Sequence, residues 1–67
     1  MNVKLNGEPH QLAAGASIPD LLAILGFAAG RGVAVAVNGE VVPRSEWRSF
    51  RVTDGMQIEV LKAVQGG

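Results

Sequence analysis

The sequence predicts an α+β domain in which a mixed sheet of roughly four to five strands packs on one short helix. Three observations predict it: two Asn-Gly pairs, each flanked by strand-like residues, one capped stretch of helical spacing between them, and a final alternating stretch near the end of the chain. With 67 residues, 48% of them hydrophobic and 18% charged, the composition is globular and leaves room for one domain with one small core. A domain of this size buries only about 60% of the surface its unfolded chain exposes. Its stability is therefore modest, with little excess to hold a strained active site, which disfavours a free-standing enzyme.

The elements follow in order. Val3 and Leu5 alternate with Asn2, Lys4 and Asn6, and Asn6-Gly7 is the pair a type I′ hairpin prefers. The return strand over residues 8–12 contains Pro9, which has no N–H to give a ladder, so it belongs at a sheet edge. Ser17 reads as a helix N-cap, with Pro19 in the first turn and Asp20 three residues on in an approximate capping box. Ile18, Leu21, Leu22 and Leu25 then form one apolar face, and Gly26 is placed to end the helix in a left-handed cap. After a Gly-rich, flexible stretch over residues 28–32, the β-branched run Val33 to Val37 reads as a strand, and Asn38-Gly39 repeats the hairpin signal. A brief return strand over residues 40–42 ends at Pro43, and Arg44, Ser45, Glu46 and Trp47 suit a single helical turn. Residues 51–53 are weakly strand-like, Asp54-Gly55 is a tight turn, and residues 57–62 alternate again, with Ile58, Val60 and the stem of Lys62 on one face. Hairpin, helix, strand, short strand, irregular segment and final strand is the β-grasp order. A right-handed crossover through the helix places the last strand parallel to the first, in the middle of the sheet.

Composition and motifs exclude much chemistry. There is no cysteine, hence no disulfide, no thiolate zinc site and no sulfur nucleophile, and the cytoplasm is the expected compartment. The polar, alternating start of the chain does not resemble a signal peptide, and no stretch approaches membrane-spanning length. Six basic and six acidic residues give a net charge of zero with no phosphate-neutralising cluster, so neither nucleic acid nor a membrane is an expected partner. His10 is the sole histidine and reads as a surface residue of the edge strand; it has no partners for a metal site or a triad. The carboxylates are scattered without an obvious close pair, and no phosphate-binding glycine loop is present. Trp47, Phe27 and Phe50 are expected to plug the core, while Arg44 and Arg48, which flank Trp47, suit an acidic partner or plain solvation equally.

What remains is Ala63-Val64-Gln65-Gly66-Gly67, directly after the last strand. The expected organisation is a domain over residues 1–62 and a tail over residues 63–67. A terminal carboxylate is ionised at neutral pH, with a reference pKa of about 3.5. Attack by its oxygen on the α-phosphate of ATP makes an acyl adenylate that sulfur can displace, and two glycines without Cβ atoms thread a narrow enzyme cleft that other residues could not.

Three segments, Val35-Ala36-Val37-Asn38-Gly39-Glu40-Val41-Val42-Pro43-Arg44 with Trp47 behind it, Asp54-Gly55-Met56-Gln57-Ile58-Glu59-Val60, and Val64-Gln65-Gly66-Gly67, carry a family resemblance. By these the chain resembles the ThiS family of sulfur carriers from thiamine biosynthesis along essentially its whole length. The resemblance implies a ubiquitin-like protein that is a cosubstrate without catalytic residues or bound cofactor of its own. An E1-like adenylyltransferase would adenylate Gly67 with ATP and magnesium, and a cysteine desulfurase or other donor would supply sulfur for a thiocarboxylate there. A thiazole synthase would take that sulfur, with Gly66, Gln65 and Val64 contacting both enzymes and the exposed sheet face docking them. Whether Val3, Leu5, Ile58 and Val60 belong to that face or to the core is open. Three other readings stand beside it: a molybdopterin synthase small subunit or other thiocarboxylate carrier, a ubiquitin-like protein modifier, and a non-covalent β-grasp interaction module.

Overall fold

The computed structural model describes residues 1–27 and 32–62; the expected tail over residues 63–67 and most of the Gly-rich stretch before the third strand lie outside the described residues. Strands β1 (Asn2–Leu5) and β2 (Glu8–Gln11) form the first hairpin, helix α1 (Ile18–Ile24) follows, then β3 (Val33–Val37), β4 (Glu40–Val41), a 3₁₀ turn (Arg44–Glu46) and β5 (Gln57–Lys62). The strands make a five-stranded mixed sheet in the order β2-β1-β5-β3-β4. β5 runs parallel to β1, with Leu5 opposite Ile58, and antiparallel to β3, with Val35 opposite Val60 and Val37 opposite Ile58. The last strand is thus central and parallel to the first, as the β-grasp order requires.

Local chemistry accounts for each boundary. Asn6 and Gly7 adopt φ of 52° and 84°, and Asn38 and Gly39 adopt 49° and 84°, the left-handed pairs of type I′ hairpins. Pro9 lies in β2 at the sheet edge, opposite Lys4, where its missing donor costs no pairing. At the start of α1, the carboxylate of Asp20 accepts hydrogen bonds from the Ser17 N–H (2.9 Å) and the Ser17 hydroxyl (3.1 Å), with Pro19 inside the first turn. At its end, Gly26 at φ 88° donates to the Ala23 carbonyl (3.2 Å) and Phe27 donates to the Leu22 carbonyl (2.8 Å), a Schellman closure.

Residues 51–53 do not form a strand. Arg51 makes one isolated antiparallel bridge to Ser17, and Val52 donates to the Ala16 carbonyl (2.8 Å), so the segment pairs with the chain entering α1, while both sides of β3 are taken by β4 and β5. β4 is likewise one residue shorter than expected, although the Val42 N–H still reaches the Val35 carbonyl (2.8 Å) before Pro43 turns the chain away.

The core lies between α1 and one face of the sheet. Val3, Leu5, Val35, Val37, Ile58 and Val60 come from the strands, and Ile18, Leu21 and Leu22 from the helix; Leu12, Ala16, Val42, Trp47 and Val52 close the ends. Phe27, Phe50 and Leu25 pack against this cluster while partly exposed. Trp47 is buried with its indole N–H donating to the Val42 carbonyl (2.9 Å), so its polar handle is satisfied inside.

Two stability outcomes follow. The Ser17 bonds hold the Asp20 carboxyl below its ordinary value of 3.8, so its stabilising contribution is complete above that pH and fades as pH falls through the lower folded value. Asp20→Asn should therefore lower the melting temperature at pH 7, and the gap to the parent should close in melts recorded progressively below pH 3.8. Gly26→Ala meets no neighbouring atom but forces a Cβ into the left-handed region, and should cost about 1 kcal/mol in urea unfolding.

Candidate functional site

Alternation along the strands sends one set of side chains to α1 and the other to the opposite face, which no described element covers. Cross-strand register shows who shares that outer face: Pro9 lies opposite Lys4, Lys4 opposite Gln57, Ala36 opposite both Glu59 and Val41, and Ala34 opposite Leu61. The face is divided. Over β1 and the start of β5 it is polar, with Lys4, Gln57 and Glu59. Over β4, β3 and the end of β5 it is apolar: Val41 is 72% exposed and Leu61 64% exposed, with the short side chains of Ala34 and Ala36 between them.

Exposed Val and Leu on a flat, alanine-floored area are poor use of apolar residues in so small a chain unless something covers them. This patch sits beside the C-terminal end of β5, where Lys62 lies opposite Val33 and the chain continues towards Gly67. The sequence-based question about Val3, Leu5, Ile58 and Val60 is answered here: all four are buried, between 1% and 5% exposed, and belong to the core. Val41 and Leu61 were not singled out from the sequence. The available signal was phase: once Ile58 and Val60 face the helix, Leu61 must face away, and the short β4 carries Val41 to the same side.

The side chains expected to matter at the end of the chain, Val64, Gln65, Gly66 and Gly67, lie outside the described residues. His10 is half-buried on β2 opposite Val3, at the rim of the core face. Among the described residues, no group of three or more His, Cys, Asp or Glu side chains is placed to hold a metal ion. No described helix is long and apolar enough to cross a membrane.

The fold and sequence have clear relatives. Residues 3–67 match the model of the ThiS family. The chain is 36% identical over 67 residues to the sulfur carrier protein ThiS of Escherichia coli, covering all of both chains. It is 42% identical over 67 residues to a thiazole synthase of Magnetococcus marinus, of which it spans only 20% of the length. The crystal structure of a thiamine biosynthesis protein, ThiS, from Geobacter metallireducens superposes over the whole of both chains with a TM-score of 0.84 at 35% identity.

Substitution separates the two faces. Leu61→Ser and Val41→Ser should change unfolding free energy by no more than about 0.5 kcal/mol. Ile58→Ala, on the other face of the same strand, should cost about 2–5 kcal/mol in the same urea titration.

Proposed function

The chain belongs to the ThiS family, and from that premise we propose that it carries sulfur for thiazole formation in thiamine biosynthesis, on the carboxylate of Gly67. The observation that carries this reading is end-to-end correspondence: the family match runs through residue 67, and the chain covers the whole of the Escherichia coli sulfur carrier.

In the proposed cycle, a carboxylate oxygen of Gly67 attacks the α-phosphorus of ATP, the bond between the α-phosphorus and the bridging oxygen breaks, and pyrophosphate leaves. A sulfur nucleophile then attacks the acyl carbon of the adenylate and AMP leaves: hydrosulfide gives the thiocarboxylate directly, whereas a persulfide gives an acyl disulfide, whose S–S bond a second thiol cleaves to release the thiocarboxylate and a disulfide. ATP, magnesium and the residues that catalyse these steps belong to an E1-like adenylyltransferase, and the sulfur comes from a cysteine desulfurase or an equivalent donor. The chain itself is a cosubstrate and not an enzyme, working in the cytoplasm.

The geometry supports a carrier in two ways. β5 is the central strand, flanked by β1 at its start and paired with β3 through Lys62, so the residues after Lys62 continue from a strand anchored in the sheet. Five residues reach at most about 17 Å when extended, enough to enter a partner's cleft while the domain docks outside it. The outer face around Val41 and Leu61 adjoins that starting point and is the docking surface in this reading, with Val64, Gln65 and Gly66 contacted inside the cleft. Thiazole synthase is the proposed acceptor, a choice supported by the occurrence of stretches similar to this chain within two thiazole synthases, of Magnetococcus marinus and Paramagnetospirillum magneticum.

Intact-mass spectrometry after incubation with ATP, magnesium, a sulfide source and a ThiF-type adenylyltransferase tests the chemistry. The expected result is a gain of about 16 Da, sulfur replacing oxygen, placed on Gly67 by fragmentation. No gain would overturn the carrier reading. Removing Gly66 and Gly67 should abolish the gain and leave the melting temperature unchanged.

A further inference from the structure

The described sheet narrows towards the end of β5. β1 pairs with β5 only through Lys4 opposite Gln57 and Leu5 opposite Ile58, and the chain then turns back at Asn6 and Gly7. β4 pairs with β3 only at Ala36 and Val37, with one further bond from the Val42 N–H to the Val35 carbonyl. β5 nevertheless runs on to Lys62, paired with β3 through Ala34 opposite Leu61 and Val33 opposite Lys62. Past Val35 and Val60 the described strands are therefore a two-stranded ribbon, an arrangement that is marginal in water without support from a neighbour.

Asn6 stands where that ribbon begins. Its side-chain oxygen accepts from the Val60 N–H (2.8 Å) and its amide nitrogen donates to the Val60 carbonyl (3.3 Å), both bonds partly buried. One side chain thus engages both main-chain groups of a residue 54 positions away. These bonds lie just past the one from the Asn6 N–H to the Ile58 carbonyl (2.9 Å). A primary amide suits the place because it carries donors and an acceptor on one planar group, as the backbone it replaces does.

Asn38 supplies an internal comparison. Its φ is 49° against 52° for Asn6, it too precedes a glycine, and its side-chain oxygen accepts from the Gln57 N–H (2.9 Å). Gln57, however, is the first residue of β5, whereas Val60 is in its later half. The two asparagines hold opposite halves of the strand, and only Asn6 holds the half from which the chain runs on to Gly67. Glycine adopts positive φ without strain, so Asn→Gly at either position removes the side-chain bonds and keeps the turn.

We propose that Asn6 is a positioning residue for the reactive end of the carrier, its bonds to Val60 keeping the later half of β5 in the sheet while Gly67 is presented to the adenylating enzyme; this rests on the carrier reading above. Any part of β5 that leaves the sheet has to be ordered again when the end of the chain enters a partner's cleft, and each residue so ordered opposes binding through lost conformational entropy. The clamp spares the complex that ordering. It acts on association rather than on the chemistry of the carboxylate, because once seated the same residues occupy the cleft with or without it.

ATP–pyrophosphate exchange by a ThiF-type adenylyltransferase, measured against carrier concentration, tests this with the full chain. Asn6→Gly should raise KM by about threefold to tenfold with kcat within about twofold. Asn38→Gly, which removes the matching bond at the start of the strand, should lower the melting temperature comparably yet leave KM within about twofold. Asn6→Asp keeps the acceptor for the Val60 N–H but loses the donor to its carbonyl, and should fall between the parent and Asn6→Gly. Amide hydrogen exchange should quicken at Val60 in Asn6→Gly and at Gln57 in Asn38→Gly. Unchanged KM in Asn6→Gly, or an equal rise in both glycine variants, with the parent active, would overturn the positioning role alone; no exchange with the parent chain would remove the carrier reading and this role together.

Discussion

Everything in this fold depends on the insertion of β5 between β1 and β3. Ile58 has Leu5 on one side and Val37 on the other, so one residue near the end of the sequence joins the first hairpin to the second. The parallel β1–β5 ladder is short, pairing only Lys4 with Gln57 and Leu5 with Ile58. It is extended by a side chain: the Asn6 amide accepts from the Val60 N–H (2.8 Å) and donates to the Val60 carbonyl (3.3 Å), replacing the next rung of backbone. Asn38 does the same on the other side, accepting from the Gln57 N–H (2.9 Å). The asparagines that make the two tight turns therefore also clamp the central strand, which the positive-φ glycines among the described residues cannot do, having no side chain to offer.

That arrangement links stability to function. A sheet packed on a single helix has one face for the core and one left over. In a chain of 67 residues, the first face consumes most of the large apolar side chains, and the few that remain outside carry meaning. Val41 and Leu61 are on the uncovered face beside the end of β5, with small alanines between them. In the proposed reading the reactive group is a main-chain carboxylate, which has no need of an enclosed pocket. It needs a rigid origin for the tail and a surface by which larger enzymes can align it, and the central position of β5 gives the first.

Trp47 connects these roles. Its ring closes the core, its N–H satisfies the carbonyl that ends the β4 region, and its face orders Arg44. A residue expected only to fill volume thus also positions charge, because its one buried polar atom fixes the ring's orientation and so the place of the cation stacked on it.

The sequence by itself determined the elements, their order and the chemical candidate. Asn-Gly turns, the Ser17–Asp20 cap and the Gly26 stop act through bonds and backbone sterics within a few residues, so they are readable without a fold. Gly66 and Gly67 are proposed on similar grounds, as a motif with a local chemical rationale. Tertiary structure alone decided which apolar side chains went inside. Along β5, Ile58, Val60 and Leu61 are similar in chemistry, and the two faces of an isolated strand are equivalent until a helix covers one of them. It also decided the fate of residues 51–53, whose weak strand character was claimed by Ser17 rather than by the sheet. Pairings between residues far apart in the chain depend on which edges remain open after the others have formed, and no local pattern records that.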